Sequence, residues 1–269
     1  MPIKVTKKVA NAKSAGPRIL VYDIETTPMK AYVWGCFKQF IHPSQIISTT
    51  EVLSFAAKWL GEQTVFFDST MNDENDERLC KVAWDLIDRA DIVVGHNGIG
   101  FDETTMNARW AKWKLPEPSP YKSIDTYRIA KKRFRFPRNQ LDAIARYLDI
   151  GKKLEHEGFD LWKKCMAGDR KAWAKMQEYN IKDVLLTENV YMRLRTWDKN
   201  HPNIGLMTKD DKPRCVCCGY SGLTKLDKPT YTGVSAFPSF RCNKCKKIMR
   251  GRKRHKQSWG EDNPTTNAQ

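Results

Sequence analysis

Leu20-Val21-Tyr22-Asp23-Ile24-Glu25-Thr26-Thr27 is the stretch of sequence that decides the fold. It continues an apolar run that starts at residue 18 and contains β-branched residues, which predicts a buried strand. Side chains two positions apart in a strand face the same side, so Asp23 and Glu25 point together. Two carboxylates at the end of a buried strand are costly unless a cation accompanies them. The stretch therefore predicts a site for a metal ion with oxygen ligands.

Two later segments carry acids in the same kind of setting. Asp102 ends the segment Gly95-His96-Asn97-Gly98-Ile99-Gly100-Phe101-Asp102 and begins a predicted helix. Tyr179 and Asp183 lie four residues apart in another predicted helix, so both project from one face. Taken alone, Asp102 is typical of a helix N-cap, and the Tyr179–Asp183 pair is typical of a structural contact. The occurrence of all three segments in this order favours a joint metal site.

The surrounding pattern predicts an α/β domain with a mixed sheet flanked by helices. Strands are expected at 31–34, 52–60, 64–67 and 91–95, and helices at 75–90, 101–113, 140–148, 159–166 and 170–197. Most tryptophans, Trp34 among them, fall in apolar segments and are expected in the core. The predicted organisation is a disordered basic N-terminus at 1–17, the α/β domain at 18–197, a linker at 198–213, a small cysteine domain at 214–256 and a disordered tail at 257–269.

Four cysteines form two pairs near the C-terminus. Cys215 and Cys218 make one Cys-x-x-Cys knuckle, and Cys242 and Cys245 make the other. Two such knuckles are typical of one structural Zn²⁺ with four thiolate ligands, and the module resembles a zinc ribbon. Cys217 offers a second choice of pair in the first knuckle, although the Cys-x-x-Cys spacing favours Cys215 with Cys218.

The three acidic segments together resemble the DEDD, or DnaQ-like, exonuclease superfamily. Asp-Ile-Glu-Thr at 23–26, Asn-x-x-x-Phe-Asp at 97–102 and Tyr-x-x-x-Asp at 179–183 carry the resemblance, which extends over residues 18–194. Tyr179 is similar to the tyrosine of the DEDDy branch, which includes polymerase proofreading domains. The alternative DEDDh branch would need a histidine at the position of Glu178. The long basic cysteine-bearing C-terminus departs from the family core.

The resemblance implies a ribonuclease-H-like fold and a 3′–5′ exonuclease that hydrolyses phosphodiesters with two Mg²⁺ or Mn²⁺ ions. By analogy, Asp23 bridges both ions, Glu25 and Asp183 complete the first ion's site, and Asp102 holds the second. Tyr179 orients the attacking water, because a phenol with its ordinary pKa near ~10 is a poor base. The residues that the resemblance assigns to the substrate nucleotide or its pocket are Thr26, Thr27, Asn97 and Phe101.

The charge of the chain predicts a nucleic-acid partner, with DNA favoured over RNA on family frequency alone. The net charge is +16, and nine basic residues with no acid occupy 241–256. Among these, the residues expected to contact nucleic acid are Arg241, Lys244, Lys246, Lys247, Arg250, Arg252, Lys253 and Arg254. Residues 131–136 also interleave cations and rings, which is compatible with a solvated loop or with a contact to the substrate strand.

The remaining expectations concern location and competing functions. No apolar stretch is long enough for a membrane span, and no apolar run follows the N-terminal charges as in a secretory signal. A cytoplasmic or nucleoid-associated protein is expected, with protein partners left open. Two alternatives stand beside a DNA exonuclease that prefers single strands: an exoribonuclease of the same fold, and a nucleic-acid-binding adaptor with an inactive nuclease centre. The intact acids and tyrosine argue against the adaptor.

Overall fold

Strands and helices alternate along most of the chain. In this computed structural model, which describes residues 4–6, 16–208 and 211–254, the elements form two units, the first spanning Arg18–Arg193 with a short N-terminal strand and the second beginning at Leu194. The elements of the first unit are β1 (Lys4–Thr6), β2 (Ile19–Thr26), β3 (Lys30–Ala31), β4 (Ile46–Ser48), β5 (Val52–Trp59), β6 (Thr64–Ser69), α1 (Glu77–Asp88), β7 (Ile92–Gly95), α2 (Asp102–Lys112), β8 (Lys122–Asp125), α3 (Thr126–Arg133), α4 (Leu141–Tyr147), α5 (Phe159–Met166) and α6 (Arg170–Leu194).

The first unit contains a six-stranded mixed sheet in the order β1-β6-β5-β2-β7-β8. β2 pairs antiparallel with β5 and parallel with β7, and β8 continues the parallel half. The carboxyl ends of β2, β7 and β8 therefore lie along one edge of the sheet, where binding sites of α/β folds commonly form. The predicted mixed α/β sheet flanked by helices is confirmed.

The alternation of side chains along β2 sorts its residues between two helical layers. Leu20, Tyr22 and Ile24 are buried in a core shared with α1 and α2. Asp23, on the opposite face, accepts a hydrogen bond from Asn180 of α6 at 2.7 Å. A second core of α5 and α6 side chains packs around Leu53 of β5. The acidic face of β2 is thus the face that α6 covers.

A buried ion pair ties the α1–α2 layer to the sheet. Asp76, just before α1, accepts hydrogen bonds from Arg109 Nε at 2.6 Å, from Trp113 Nε1 at 2.9 Å and from the Val52 backbone N–H at 2.9 Å. Burial opposes the charged carboxylate, but these donors hold the pKa of Asp76 below its ordinary value. Removal of the Asp76 carboxylate would leave the buried Arg109 guanidinium with Glu51, 3.1 Å away, as its remaining acidic partner.

The segment that follows β2 differs from the prediction. Instead of a strand at 31–34, two residues of β3 pair with β4, and the backbone N–H of Thr27 donates to Glu51 to close the base of this excursion. Trp34 is 99% exposed, so its expected core position is wrong. An apolar sequence segment does not show whether another part of the protein covers it. Here none of the described residues covers Trp34.

The termini and the junction between units also differ from the sequence-based boundaries. Residues 4–6 form an edge strand on β6, where disorder was expected for 1–17; residues 1–3 and 7–15 and the tail at 257–269 lie outside the described residues. α6 ends at Leu194. In the predicted linker, Ile204 is buried and its N–H donates to Val216 at 2.9 Å, because the segment packs as part of the second unit.

The second unit is a three-stranded antiparallel sheet with a cysteine cluster beside it. β9 (Leu223–Tyr231), β10 (Ala236–Cys242) and β11 (Ile248–Arg250) pair in the order β11-β10-β9. Cys242 ends β10, and Leu223 and Met249 pack against the cluster. No helix in the described parts of either unit has the length and apolar character of a membrane span.

We expect Asp76→Ala to lower the free energy of unfolding at neutral pH by about 3–5 kcal/mol, because it leaves the buried Arg109 with only the partly exposed Glu51 as a counter-charge. The pKa of Asp76 is lowered in the fold, so its contribution is present above the unfolded pKa of about 3.9 and is lost as pH falls through the lower folded value. Urea unfolding at neutral and acidic pH measures both effects.

The matched control for this prediction is Asp85→Ala, which removes an exposed carboxylate paired with Arg89 one helical turn away. Such surface pairs contribute at most about 1 kcal/mol. An equal loss of stability in the two variants would contradict the importance of the buried pair.

Candidate functional site

Three carboxylates from distant parts of the chain converge beside β2. Asp23 and Glu25 project from β2, and Asp183 projects from α6. One oxygen of each carboxylate lies within 4.8 Å of an oxygen of the other two, and the three form one of two groups of metal-ligating side chains found in the described residues. At such distances two carboxylates repel each other by roughly 3–4 kcal/mol at an effective dielectric constant of about 20. The cluster therefore requires protons or cations.

The pKa values of the acids reflect this crowding. Burial, with Asp102, Asp183 and Glu25 as negative neighbours, raises the pKa of Asp23 well above its ordinary value. Burial and Asp183 raise the pKa of Glu25 to about 8. Burial also raises the pKa of Asp183. Without a metal the cluster retains protons near neutral pH, and a divalent cation would displace them.

Asp102 lies next to the cluster but outside the group of three. It begins α2 and is buried, and its Oδ1 accepts the Ile24 backbone N–H at 3.1 Å. Burial raises the pKa of Asp102 to about 7, although the bond from Ile24 opposes the shift. Asp102 is thus hydrogen-bonded to Ile24, the residue of β2 that lies between Asp23 and Glu25.

Asn180 and Lys153 are site residues that the sequence analysis missed. Asn180 donates to Asp23 Oδ2 and accepts from Ser54 Oγ at 3.0 Å, so it fixes the carboxylate on β2. The Lys153 ammonium lies 2.5 Å from Asp183 Oδ2 and 3.2 Å from the Tyr179 hydroxyl. Asn180 lies inside the third segment, directly after Tyr179, and this position is a signal by which the sequence could have identified it. Lys153 belongs to the loop between α4 and α5, where no pattern marks it.

The loop that carries Lys153 is held in place by Asp142. The Asp142 carboxylate accepts the Lys153 backbone N–H at 2.7 Å and the Arg146 Nε at 2.7 Å. Although burial disfavours the ammonium, Asp183 and Tyr179 raise the pKa of Lys153 above its ordinary value. A permanently charged group therefore sits against the most buried carboxylate of the cluster.

Tyr179 is enclosed by rings. His156 and Trp162 meet it edge-on, with ring centroids 4.7 Å and 6.0 Å away, and Lys153 lies over its ring. Burial and Asp183 raise the pKa of Tyr179 above its ordinary value. Its hydroxyl thus stays protonated and positions groups rather than accepting a proton.

The second segment forms a wall of a cavity of about 550 Å³ that reaches Asp23. Asn97 lines this cavity in a left-handed conformation (φ 65°), and its N–H donates to Asp125 at 2.9 Å. His96, also lining, contacts Thr126 and the Asn139 carbonyl, and burial lowers the pKa of His96 to about 4. Asn97 and Asp23 therefore line the same cavity, and the contact of Asn97 with a substrate nucleotide stays a prediction.

The other predicted substrate residues are placed differently. Phe101 is exposed at the start of α2. Thr26 closes β2 after a bulge. The Thr27 hydroxyl accepts the Glu51 N–H at 2.9 Å, so this side chain is engaged at the base of the 28–50 excursion. The structure brings Asp23, Glu25, Asp183, Tyr179 and Asp102 together. The Thr27 side chain instead forms a structural hydrogen bond at the end of β2.

The carboxylate cluster fits a divalent metal. Asp183 is 1% exposed, and its Oδ1 is buried with no hydrogen-bond partner among the described residues. An unpaired buried carboxylate oxygen is costly, and hard oxygen donors at this spacing suit Mg²⁺ or Mn²⁺. Asp23, Glu25 and Asp183 are the residues that would hold the ion.

The second group of metal-ligating side chains is the predicted cysteine set. Cys215, Cys218, Cys242 and Cys245 lie within 4.8 Å of one another. Backbone N–H groups of Cys217 and Cys245 point at the sulfurs of Cys215 and Cys242, at 3.4 and 3.5 Å. Burial opposes the thiolate, yet N–H donors lower the pKa of Cys242 to about 7. This arrangement can hold a tetrahedral ion such as Zn²⁺.

The basic residues of the second unit have two different environments. Lys247 is 8% exposed and donates to the carbonyls of Thr196 and Asp198, at 2.8 and 2.6 Å. Because its ammonium already donates to these backbone oxygens, Lys247 has a structural role. Its predicted contact with nucleic acid is therefore wrong. The exposed members of the predicted set are Arg241, Lys244, Lys246, Arg250, Arg252, Lys253 and Arg254.

Comparison with known proteins agrees with the fold. The family model described as the RNase_H superfamily matches residues 20–195, and the chain belongs to this superfamily. A curated relative, the PolC-type DNA polymerase III of Ureaplasma parvum, is 30% identical over 149 residues. The match covers 49% of this chain and 10% of the relative.

A solved structure extends the comparison at the level of the fold. The family B DNA polymerase of Pyrobaculum calidifontis superposes with a TM-score of 0.52 at 17% identity, over 67% of this chain and 25% of that one. This chain therefore spans only a small part of the length of either polymerase.

Addition of Mn²⁺ at about 100 times its dissociation constant is expected to raise the melting temperature by about 5–10 °C, because binding to the folded cluster adds about 2.7 kcal/mol. The rise should shrink as pH falls from about 8 to about 6, since protons then compete for Glu25, whose pKa is raised to about 8. Asp183→Asn should abolish the rise, and Asp160→Asn, which changes an exposed carboxylate on α5, should retain it. A shift that survives in Asp183→Asn would place the ion elsewhere.

Proposed function

We propose that this protein is a metal-dependent 3′–5′ exonuclease that releases nucleotides from DNA, preferentially from single strands. The observation that carries the proposal is the convergence of Asp23, Glu25 and Asp183 with Asp102 and Tyr179 beside one cavity. The RNase H superfamily membership supports nucleic acid as the substrate. The similarity to a protein named as a DNA polymerase favours DNA over RNA.

The chemistry proposed for this cavity is two-metal phosphodiester hydrolysis. Two Mg²⁺ or Mn²⁺ ions held here would neutralise charge on the phosphate and would lower the pKa of a bound water. Asp23, Glu25 and Asp183 would hold the first ion, and Asp23 with Asp102 the second. Asn180 keeps Asp23 in its orientation through the bond to Oδ2. The raised pKa of Tyr179 keeps its hydroxyl protonated, so it orients the attacking water by hydrogen bonding.

Lys153 is proposed as the cation that holds Asp183 before metal is bound. Its ammonium already occupies the position of a counter-charge at the Asp183 carboxylate. On metal binding, the same flexible side chain would become free to contact a phosphate oxygen of the substrate. Asp142 limits this motion to the side chain, because it fixes the Lys153 backbone.

For the second unit we propose a zinc ribbon that grips nucleic acid. Cys215, Cys218, Cys242 and Cys245 would hold one structural Zn²⁺. Its exposed cations lie at the end of β10, around the second knuckle and on β11 and the residues after it, and the Arg250 guanidinium lies 4.5 Å over the Phe237 ring. A Cys₄ zinc centre carries two negative charges, which these cations exceed.

Digestion of 5′-labelled single strands of DNA and RNA with the same sequence tests the nuclease proposal. Wild-type protein with Mn²⁺ should shorten the DNA from its 3′ end, and Asp23→Ala should lower kcat/KM about 10³-fold through loss of metal binding. Tyr179→Phe should lower it about 10- to 100-fold, since it removes one positioning hydrogen bond. Tyr121→Phe, a change in the α1–α2 core, is the control.

Different outcomes of this digestion separate the alternatives. Faster shortening of RNA would favour an exoribonuclease. Tight binding without metal-dependent shortening of either strand would favour an adaptor. Normal shortening by Asp23→Ala would reject the assignment of the site.

Elemental analysis of the purified protein tests the zinc proposal. We expect about one zinc per chain in the wild type and almost none in Cys242→Ser, because three thiolates leave the tetrahedral site incomplete. Cys217→Ser should retain the metal, since Cys217 is buried outside the group of four. Loss of zinc in Cys217→Ser with retention in Cys218→Ser would instead select the other pairing of the first knuckle.

A further inference from the structure

The segment at 126–141 is strongly basic and stands beside the cavity of the carboxylates. It contains no acidic residue, and five of its cations form no ion pair among the described residues: Lys131, Lys132, Arg133, Arg135 and Arg138. The Nε of Arg133 is buried without a hydrogen-bond partner in the described parts of the chain. Uncompensated cations at one place attract a polyanion.

Rings accompany these cations. Phe134 and Phe136 stack with centroids 5.0 Å apart and planes 15° from parallel. Tyr147 of α4 meets Phe136 edge-on at 5.3 Å and is 61% exposed. The three rings form a small aromatic platform. In proteins that bind single strands, unpaired bases stack on exposed aromatic rings of this kind.

The geometry of the loop connects this platform with the cavity. Tyr127, near the start of the segment, and Gln140, near its end, both line the cavity that contains Asp23. His96, on the cavity wall, holds the loop through a contact of its Nε2 with the Asn139 carbonyl at 3.0 Å. The segment therefore leaves the rim of the cavity and returns to it, with its cations and rings between the two points.

We propose that residues 131–138 and Tyr147 form the track for the single-stranded nucleic acid whose end occupies the carboxylate site. Lys132, Arg135 and Arg138 contact backbone phosphates, and the platform of Phe134, Phe136 and Tyr147 stacks unpaired bases. A duplex does not fit this description, since its bases have no free faces for the rings. The inference rests on the proposed nuclease function and adds to it the surface that selects an extended, unpaired strand.

The test compares a dinucleotide, which reaches only the carboxylate site, with a single strand of roughly 12 nucleotides, within the length that such surfaces cover. For Lys132→Gln/Arg135→Gln/Arg138→Gln, the ratio of kcat/KM for the strand to kcat/KM for the dinucleotide should fall roughly 10- to 100-fold. The slope of log kcat/KM for the strand against log salt should become shallower by about 2, since three phosphate contacts are lost.

The matched control removes three positive charges from the helical layer on the other face of the sheet. Lys81→Gln/Lys112→Gln/Lys114→Gln changes exposed lysines in α1, at the last residue of α2 and in the turn after it, and it should leave the ratio and the slope near the wild-type values. Equal effects in the two triple variants, or no effect in the first, would overturn the proposal.

Stacking is tested with a strand that is abasic except at its terminal nucleotide. Wild-type protein should cleave the abasic strand about 5- to 100-fold less efficiently than the normal strand, as expected for lost stacking. Tyr147→Ala should narrow that gap, and Tyr147→Phe should keep it, because the ring remains. Equal cleavage of the abasic and normal strands by the wild type would overturn the stacking role.

Fluorescence anisotropy without added divalent metal measures strand binding apart from turnover. If the wild type fails to cleave even the dinucleotide, the proposed function is rejected. The anisotropy measurement then still tests whether residues 131–138 and Tyr147 bind the strand. Weaker strand binding in the first triple variant than in its control supports the proposal, and equal binding overturns it. A preference for an acidic peptide over the strand, lost in the same variant, would assign the surface to a protein partner instead.

Discussion

The repulsion among the carboxylates beside β2 is the constraint on which the rest of the site depends. Asp23 and Glu25 face α6 because strand residues alternate, and α6 brings Asp183 to the same point. The fold meets the cost with one lysine, with protons retained at raised pKa values and with an amide that fixes one carboxylate. Like charges this close together lower stability, so their clustering points to a functional site. Bound divalent cations would neutralise them.

The two layers around the sheet divide stability and chemistry. The α1–α2 layer has an apolar core and contains the buried ion pair of Asp76 and Arg109. Trp113 and the backbone N–H of Val52 also donate to Asp76, so the pair joins the helices to β5. The opposite layer carries the acids, the enclosed tyrosine and the cavity. The glycine-rich segment after β7 links the layers, since Asp102 begins a helix of the first layer and accepts a hydrogen bond from the strand of the site.

Periodicity and spacing were sufficient to predict the central strand, most helices and the four clustered cysteines. These features follow from local rules: alternation on β2, apolar residues at helical intervals, and paired knuckles. Local rules pair Asp23 with Glu25 and Tyr179 with Asp183, but the convergence of the three segments was expected from their order, which resembles that of the DEDD superfamily. Contacts made by loops were not predictable. Lys153 reaches Asp183 from a loop 30 residues away, Lys247 is consumed by carbonyls, and Trp34 lies uncovered. In each case the outcome depends on which segment packs next to the residue, which local sequence does not specify.

Anomalous diffraction from crystals soaked in Mn²⁺ tests the central claim most directly. We predict manganese bound by Asp23, Glu25 and Asp183, a second ion about 4 Å away toward Asp102, and Lys153 withdrawn from the Asp183 carboxylate. Absence of manganese from these oxygens at saturating concentration, with Lys153 still against Asp183, would contradict the interpretation of the carboxylate cluster as a metal site.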